Sequence, residues 1–154
     1  MLTFMKPLGS TEANLTEFVA AQNQVYDQVL QELKAGRKET HWIWFIFPQI
    51  AGLGSSAMAR KFSISSKSGA QSYLKHPVLG LRLRECTQLM LGLPDQNIEA
   101  ILDYPDNLKF RSSMTLFAAA APEEPIFQAA LGKYFGGEPD RKTLSLLKND
   151  VSDG

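Results

Sequence analysis

Cysteine and histidine are scarce: 154 residues contain one cysteine, Cys86, and two histidines, His41 and His76. One thiol excludes an internal disulfide, and two isolated histidines with scattered acids leave no metal-ligand spacing, so neither a metal nor a cofactor is expected. Long hydrophobic runs are missing too. The longest, Trp42–Phe47, falls far short of the roughly 20 residues a membrane-spanning helix needs, so no membrane partner is expected. The start Met1-Leu2-Thr3-Phe4-Met5-Lys6-Pro7 lacks a basic stretch followed by an apolar one, which points away from a secretory signal and towards a cytosolic protein with a reduced thiol. Excess charge is absent as well. Net charge is zero and the pI is 6.7, whereas nucleic-acid binders usually carry a positive balance, so no nucleic-acid partner is expected.

One local absence is more telling. No Asp or Glu occurs from Thr40 to Arg84, while Arg60, Lys61, Lys67, Lys75, Arg82 and Arg84 all fall there. Such a segment either focuses an anionic ligand or is neutralised by acidic segments folding over it. Both readings stay open on the sequence.

The length suits a single domain, and periodicity makes it helical. From about Leu15, Phe18, Val25, Tyr26, Val29, Leu30 and Leu33 recur at helical steps, and Gly36 with Arg37-Lys38 marks the stop. Val78–Leu91 is a second clear helix. Its apolar face holds Leu79, Leu83, Cys86 and Met90, which places the thiol in the core rather than in a catalytic position. Ser56, Ser66, Asn97 and Asp140 are predicted N-caps of shorter helices, ending near Phe62, Lys75, Asp103 and Leu147. Residues 106–121 and 123–135 complete the set, the first closed by Pro122 and the second by Gly136-Gly137. The prediction is an all-α, compact single domain of about seven to eight short-to-medium helices over residues 14–148. A flexible arm at 1–13 and a tail at 149–154 flank it.

Thr40–Gln49 is the most distinctive stretch, with both tryptophans, two of nine phenylalanines and His41. Each large ring removes on the order of 150–250 Å² from water, so the run belongs in the core. Both strand faces of Trp42–Phe47 are apolar, which allows a buried strand. A lone strand would leave its backbone groups unpaired, so a buried two-turn helix framed by Thr40 and Pro48 is the expected form.

Candidate chemistry gathers at three places. Gly52-Leu53-Gly54-Ser55-Ser56-Ala57 formally fits a dinucleotide-binding pattern, but no acidic residue lies about 20 positions on and no strand–helix alternation is read after it. It is a plain connector, or a glycine-rich turn whose N–H groups, with Ser55, Ser56 and Arg60, suit an anion. The second place is Lys109–Thr115, where Arg111, Ser112, Ser113 and Thr115 cluster on a helix. Hydroxyls there more often bond the preceding turn than act as nucleophiles, and a serine would need His41 or His76 as base. The third is His41, either a core-edge hydrogen-bonding residue or a general base.

The motifs His41–Gln49, Gly52-Leu53-Gly54, Ser63-Ile64-Ser65, Tyr73–Gly80, Arg82–Cys86 and Lys109–Phe117 resemble the bacterial "domain of unknown function 1810" family, over about Leu15 to Leu147. The resemblance implies an all-α fold, and with it a helix at 40–48. It implies no reaction and no catalytic residues. Some relatives are labelled calpastatin, a long disordered inhibitor; a compact apolar chain of this kind does not support that label.

Together these features predict a pocket between the aromatic helix and the 109–115 segment, holding an anionic small molecule such as a nucleotide or phosphorylated metabolite. Its expected contacts are His41, Trp44, Gln49, Arg60, Lys109, Arg111, Ser112 and Ser113, with tryptophan stacking and arginine forks on phosphate or carboxylate. The alternatives are a non-enzymatic protein-interaction module and an enzyme using His41 as general base.

Overall fold

The apolar stripe read on the first helix becomes α1, Thr11–Ala35, which buries Phe18, Val29 and Leu33. Gly36 ends it with a φ of +80°, where the Gly36 and Arg37 N–H groups reach the Leu33 and Glu32 carbonyls at 3.1 and 3.0 Å. That pairing satisfies the last carbonyls of the helix and needs a residue free to adopt a left-handed φ. The computed structural model describes residues 11–149, with side chains from Asn14 onward. The expected arm and tail lie outside the described residues, except that 11–13 already belong to α1 and Asn149 closes the last helix.

The aromatic run departs from expectation in detail. Its helix, α2, is one turn long, Ile43–Ile46, and opens at Trp42 without a side-chain cap. Thr40 does not cap it. Instead, the Thr40 hydroxyl donates to Glu32 at 2.6 Å. Glu32 is only 4% exposed, and its carboxylate also accepts from the Trp42 indole N–H at 2.8 Å, the Glu39 and Thr40 N–H groups at 2.7 and 3.1 Å, and Gln28 at 2.9 Å. Burial alone would raise its pKa; these hydrogen bonds outweigh it and hold the carboxyl at about 2. Pro48 then ends helical geometry. The next two residues, Gln49–Ile50, form β1, parallel to β2, Ser63–Ile64, with Gln49 opposite Ser63 and Ile50 opposite Ile64. The strand pair thus lies just beyond the aromatic run, which is itself helical at 43–46 and forms no strand.

Between these strands runs α3, Ala57–Lys61, capped by the Ser56 hydroxyl, which accepts from Ala59 N–H at 3.1 Å. The glycine-rich turn therefore lies inside a miniature β–α–β unit. Gly52 has a φ of +103° there, and a Cβ on Gly54 would come within 2.7 Å of the Ala59 Cβ.

The remaining caps fall where expected. Ser66 opens α4, Lys67–Lys75, and Asn97 opens the single turn α6, Ile98–Ile101. Asp140 opens α9, Arg141–Lys148. Helix α5, Leu79–Gly92, has no cap at Val78; the His76 Nδ1 accepts from the Val78 and Leu79 N–H groups at 3.1 and 3.2 Å instead. Gly80 presses α5 against α4, since a Cβ there would lie 2.1 Å from the Leu74 carbonyl oxygen. Helix α7, Asp106–Ala120, follows a cis Tyr104–Pro105 bond and packs against α2, α4, α8, α9 and β1. Helix α8, Pro125–Phe135, ends at the left-handed Gly136. Among the described residues there are nine helices and one two-residue strand pair, so the domain is essentially all-α.

Rings form two connected groups. Phe45, Phe62, Phe18, Tyr73, Phe117 and Phe127 follow one another at 5.3–5.7 Å between centroids. Trp42, Phe47 and Phe110 form the second, with Tyr134 and Phe135 also against Phe110. Cys86 is buried as its helical face required, and desolvation pushes its thiol up to about 12. No described helix is long and apolar enough to cross a membrane.

Candidate functional site

A cleft of about 540 Å³ opens beside α2, and its wall combines residues between 44 and 59 with the start of α7 and with Asp140. From the aromatic run come Trp44 and Gln49; from the glycine-rich turn Leu53, Gly54, Ser55 and Ser56; from the start of α7 Pro105, Leu108, Lys109 and Ser112. Trp44 is half-buried, whereas every other residue from Trp42 to Pro48 is buried. A one-turn helix between a buried tryptophan and a proline turns this single ring outward while its neighbours fill the core. Gln49 follows as the first residue of β1, also half-buried. The cleft thus runs from the first residue of β1 to the glycine-rich turn that follows the strand.

The polar groups differ in how committed they are. Neither the Gln49 amide nor the Trp44 indole N–H has a hydrogen-bond partner among the described residues. Lys109 lies 3.8 Å from Asp106, a loose pair, because Asp106 bonds Lys38 more closely at 2.7 Å. Buried Ser112 donates to the Leu108 carbonyl at 3.1 Å, the helical back-bond expected of it, and its oxygen keeps acceptor capacity. Asp140 lines the cleft too, yet its carboxylate is turned to α9, accepting from Thr143 N–H at 2.9 Å and the Thr143 hydroxyl at 2.5 Å. The turn itself is pinned from behind, with Arg60 donating to the Ser55 carbonyl at 2.6 Å.

Of the eight residues singled out from the sequence, four converge here: Trp44, Gln49, Lys109 and Ser112. The others stand elsewhere. Arg60 spends its guanidinium on the Ser55 carbonyl and borders a smaller cavity of about 220 Å³ with Asn14, Ser63 and Ser65. Arg111 donates to the Glu138 carbonyl at 2.9 Å and lies 5.5 Å from the Phe135 ring. Ser113 is fully buried with its hydroxyl unpartnered among the described residues. His41 is exposed and lines a separate cleft of about 290 Å³ with Lys38, Glu39, Asp103, Tyr104, Pro105 and Asp106. Ser112 and His41 therefore do not border a common cavity.

Leu53, Pro105, Leu108 and Asp140 were not foreseen as wall residues. Asp140 carried a cap signal only, and nothing local to a helix cap reveals which cavity it borders. The acid-free segment is partly neutralised: Arg84 forms a two-point pair with Glu124 at 2.5 and 2.9 Å, and is the only one of its six cations in an ion pair among the described residues. Arg82 instead donates to Gln22 at 3.3 Å and lies 4.6 Å from the Tyr26 ring. Among the described residues no three His, Cys, Asp or Glu side chains are grouped to hold a metal ion.

None of the curated proteins matches the chain. A crystal structure of the conserved hypothetical protein Rv1873 from Mycobacterium tuberculosis does: it is 52% identical, covers 88% of this chain and 96% of that one, and superposes with a TM-score of 0.86. The all-α architecture is thus shared with a close solved relative. A family described as "Protein of unknown function (DUF1810)" matches residues 12–147, and the chain belongs to that family.

Proposed function

We propose that this protein binds an anionic, ring-bearing small molecule, a nucleotide or phosphorylated metabolite, in the cleft beside α2, and does so in the cytosol. The observation that carries the reading is convergence. Trp44, Gln49, Lys109 and Ser112 meet at one cleft of about 540 Å³, a size typical of small-molecule sites. The Trp44 ring offers a stacking face and the Gln49 amide both donors and an acceptor. Lys109 supplies the positive charge, and the tie of Asp106 to Lys38 leaves that charge available. Asp140, the one acid on the wall among the described residues, has one carboxylate oxygen engaged as the cap of α9, accepting from the Thr143 N–H and hydroxyl.

The test is a thermal-shift and calorimetric screen of nucleoside monophosphates and sugar phosphates. Binding is expected to raise the melting temperature by several degrees for one class. Lys109→Ala and Trp44→Ala should abolish the shift while circular dichroism stays native. Arg111→Ala should leave it in place, because its guanidinium bonds the Glu138 carbonyl. No response to any class at millimolar concentration would overturn the reading.

A further inference from the structure

The cleft beside α2 does not end at its own wall. Pro105 lines both this cleft and the second one that holds His41, so the two adjoin across a single residue. Side chains tie them together as well. Asp106 borders the second cleft, with one carboxylate oxygen 2.7 Å from Lys38 of that cleft and the other 3.8 Å from Lys109 of the first.

The two lobes differ in chemistry. The first has an aromatic face and a loosely paired cation. In the second, Lys38 is committed to Asp106, and Asp103 is held by Arg37 through two bonds at 2.8 and 2.9 Å. What remains without a hydrogen-bond partner among the described residues is the Glu39 carboxylate, the His41 imidazole and the Tyr104 hydroxyl, with Tyr104 as a residue 71% exposed. A carboxylate that only accepts, an imidazole and an open ring face suit a group rich in hydroxyls and C–H surface. They repel a second anionic group.

From this juxtaposition we infer that the site is two-lobed and takes a nucleoside diphosphate sugar. The base lies against Trp44, the phosphates sit at Lys109, and the sugar crosses Pro105 to Glu39, His41 and Tyr104. This rests on the function proposed above and adds to it the class of ligand. The order of lobes follows from charge, since the loosely paired Lys109 lies on one side of Pro105 and Glu39, whose carboxylate has no hydrogen-bond partner among the described residues, on the other.

Isothermal titration of the full chain with UMP, UDP, ADP, UDP-glucose and ADP-glucose tests it. A sugar conjugate is expected to bind at least about tenfold more tightly than the parent diphosphate. Glu39→Gln and Tyr104→Ala, both at exposed positions, should bring the conjugate down to the parent's affinity and leave the parent's affinity unchanged. Lys109→Ala should weaken both. Equal binding of parent and conjugate, or variants that weaken both alike, would overturn the two-lobed site and leave the first cleft standing. Loss of all binding to the native chain would overturn the small-molecule reading itself, and this inference with it.

Discussion

Glu32 shows how one residue fixes the entry to the aromatic turn. Its carboxylate gathers five donors from Gln28, Glu39, Thr40 and Trp42, although α2 itself begins without a side-chain cap. The carboxylate thus does for Thr40–Trp42 what a cap would do for a longer helix. Glu32→Gln keeps the shape but points an amide N–H₂ at groups that are themselves donors. That should destabilise the fold by about 2–3 kcal/mol, the scale of lost hydrogen bonds to a buried charge. The sign with pH follows from a folded pKa of about 2 against an ordinary 4.5. The carboxylate's extra stabilisation is complete above pH 4.5 and disappears as pH falls towards 2. Melting curves of wild type and Glu32→Gln should therefore converge across that window. Curves that stay parallel down to pH 2 would show that Glu32 is not the group responsible.

At the scale of elements, α5 is opened by a residue outside it. The His76 Nδ1 accepts from both Val78 and Leu79, and Pro77 between them has no N–H to satisfy. His76→Ala should cost about 1 kcal/mol, as loss of an N-cap does, and His76→Asn should recover part of it. Urea unfolding with an unchanged m-value would measure this; a neutral alanine variant would contradict it. Caps of the ordinary kind were legible beforehand. Ser56, Ser66, Asn97 and Asp140 each accept from a backbone N–H two or three residues on, because that bond depends on local sequence alone. The strand pair was not legible, since Gln49–Ile50 and Ser63–Ile64 are too short to alternate and find each other only through α3. Half of the candidate site was legible for a similar reason. Lys109 and Ser112 are three apart and share a helical face, whereas Arg111 is two from Lys109 and faces away. That much could have been read from the spacing. The burial of Ser113 depends on how α7 is covered by its neighbours, which no local pattern encodes.

At the scale of the whole molecule, the aromatic run is where two ring systems meet. Phe45 leaves α2 for the group that runs through Phe62, Phe18 and Tyr73 to Phe117 and Phe127. Trp42 and Phe47, on either side of the same turn, join Phe110 and through it Tyr134 and Phe135. Trp44 makes no ring contact with either group; it packs against the core from outside and lines the cleft. Energetic coupling should respect the division between the two groups. Phe47 and Phe110 meet edge to face at 4.8 Å, an arrangement worth about 0.5–1.5 kcal/mol beyond area burial. A double-mutant cycle of Phe47→Leu with Phe110→Leu should return a coupling of that size. Phe45→Leu with Phe110→Leu joins residues of different groups and should add within about 0.5 kcal/mol. If both cycles show the same coupling, the core acts as one ring network and α2 does not divide it. If only the first couples, the two ring groups are energetically separate, and the turn at α2 is where the core divides.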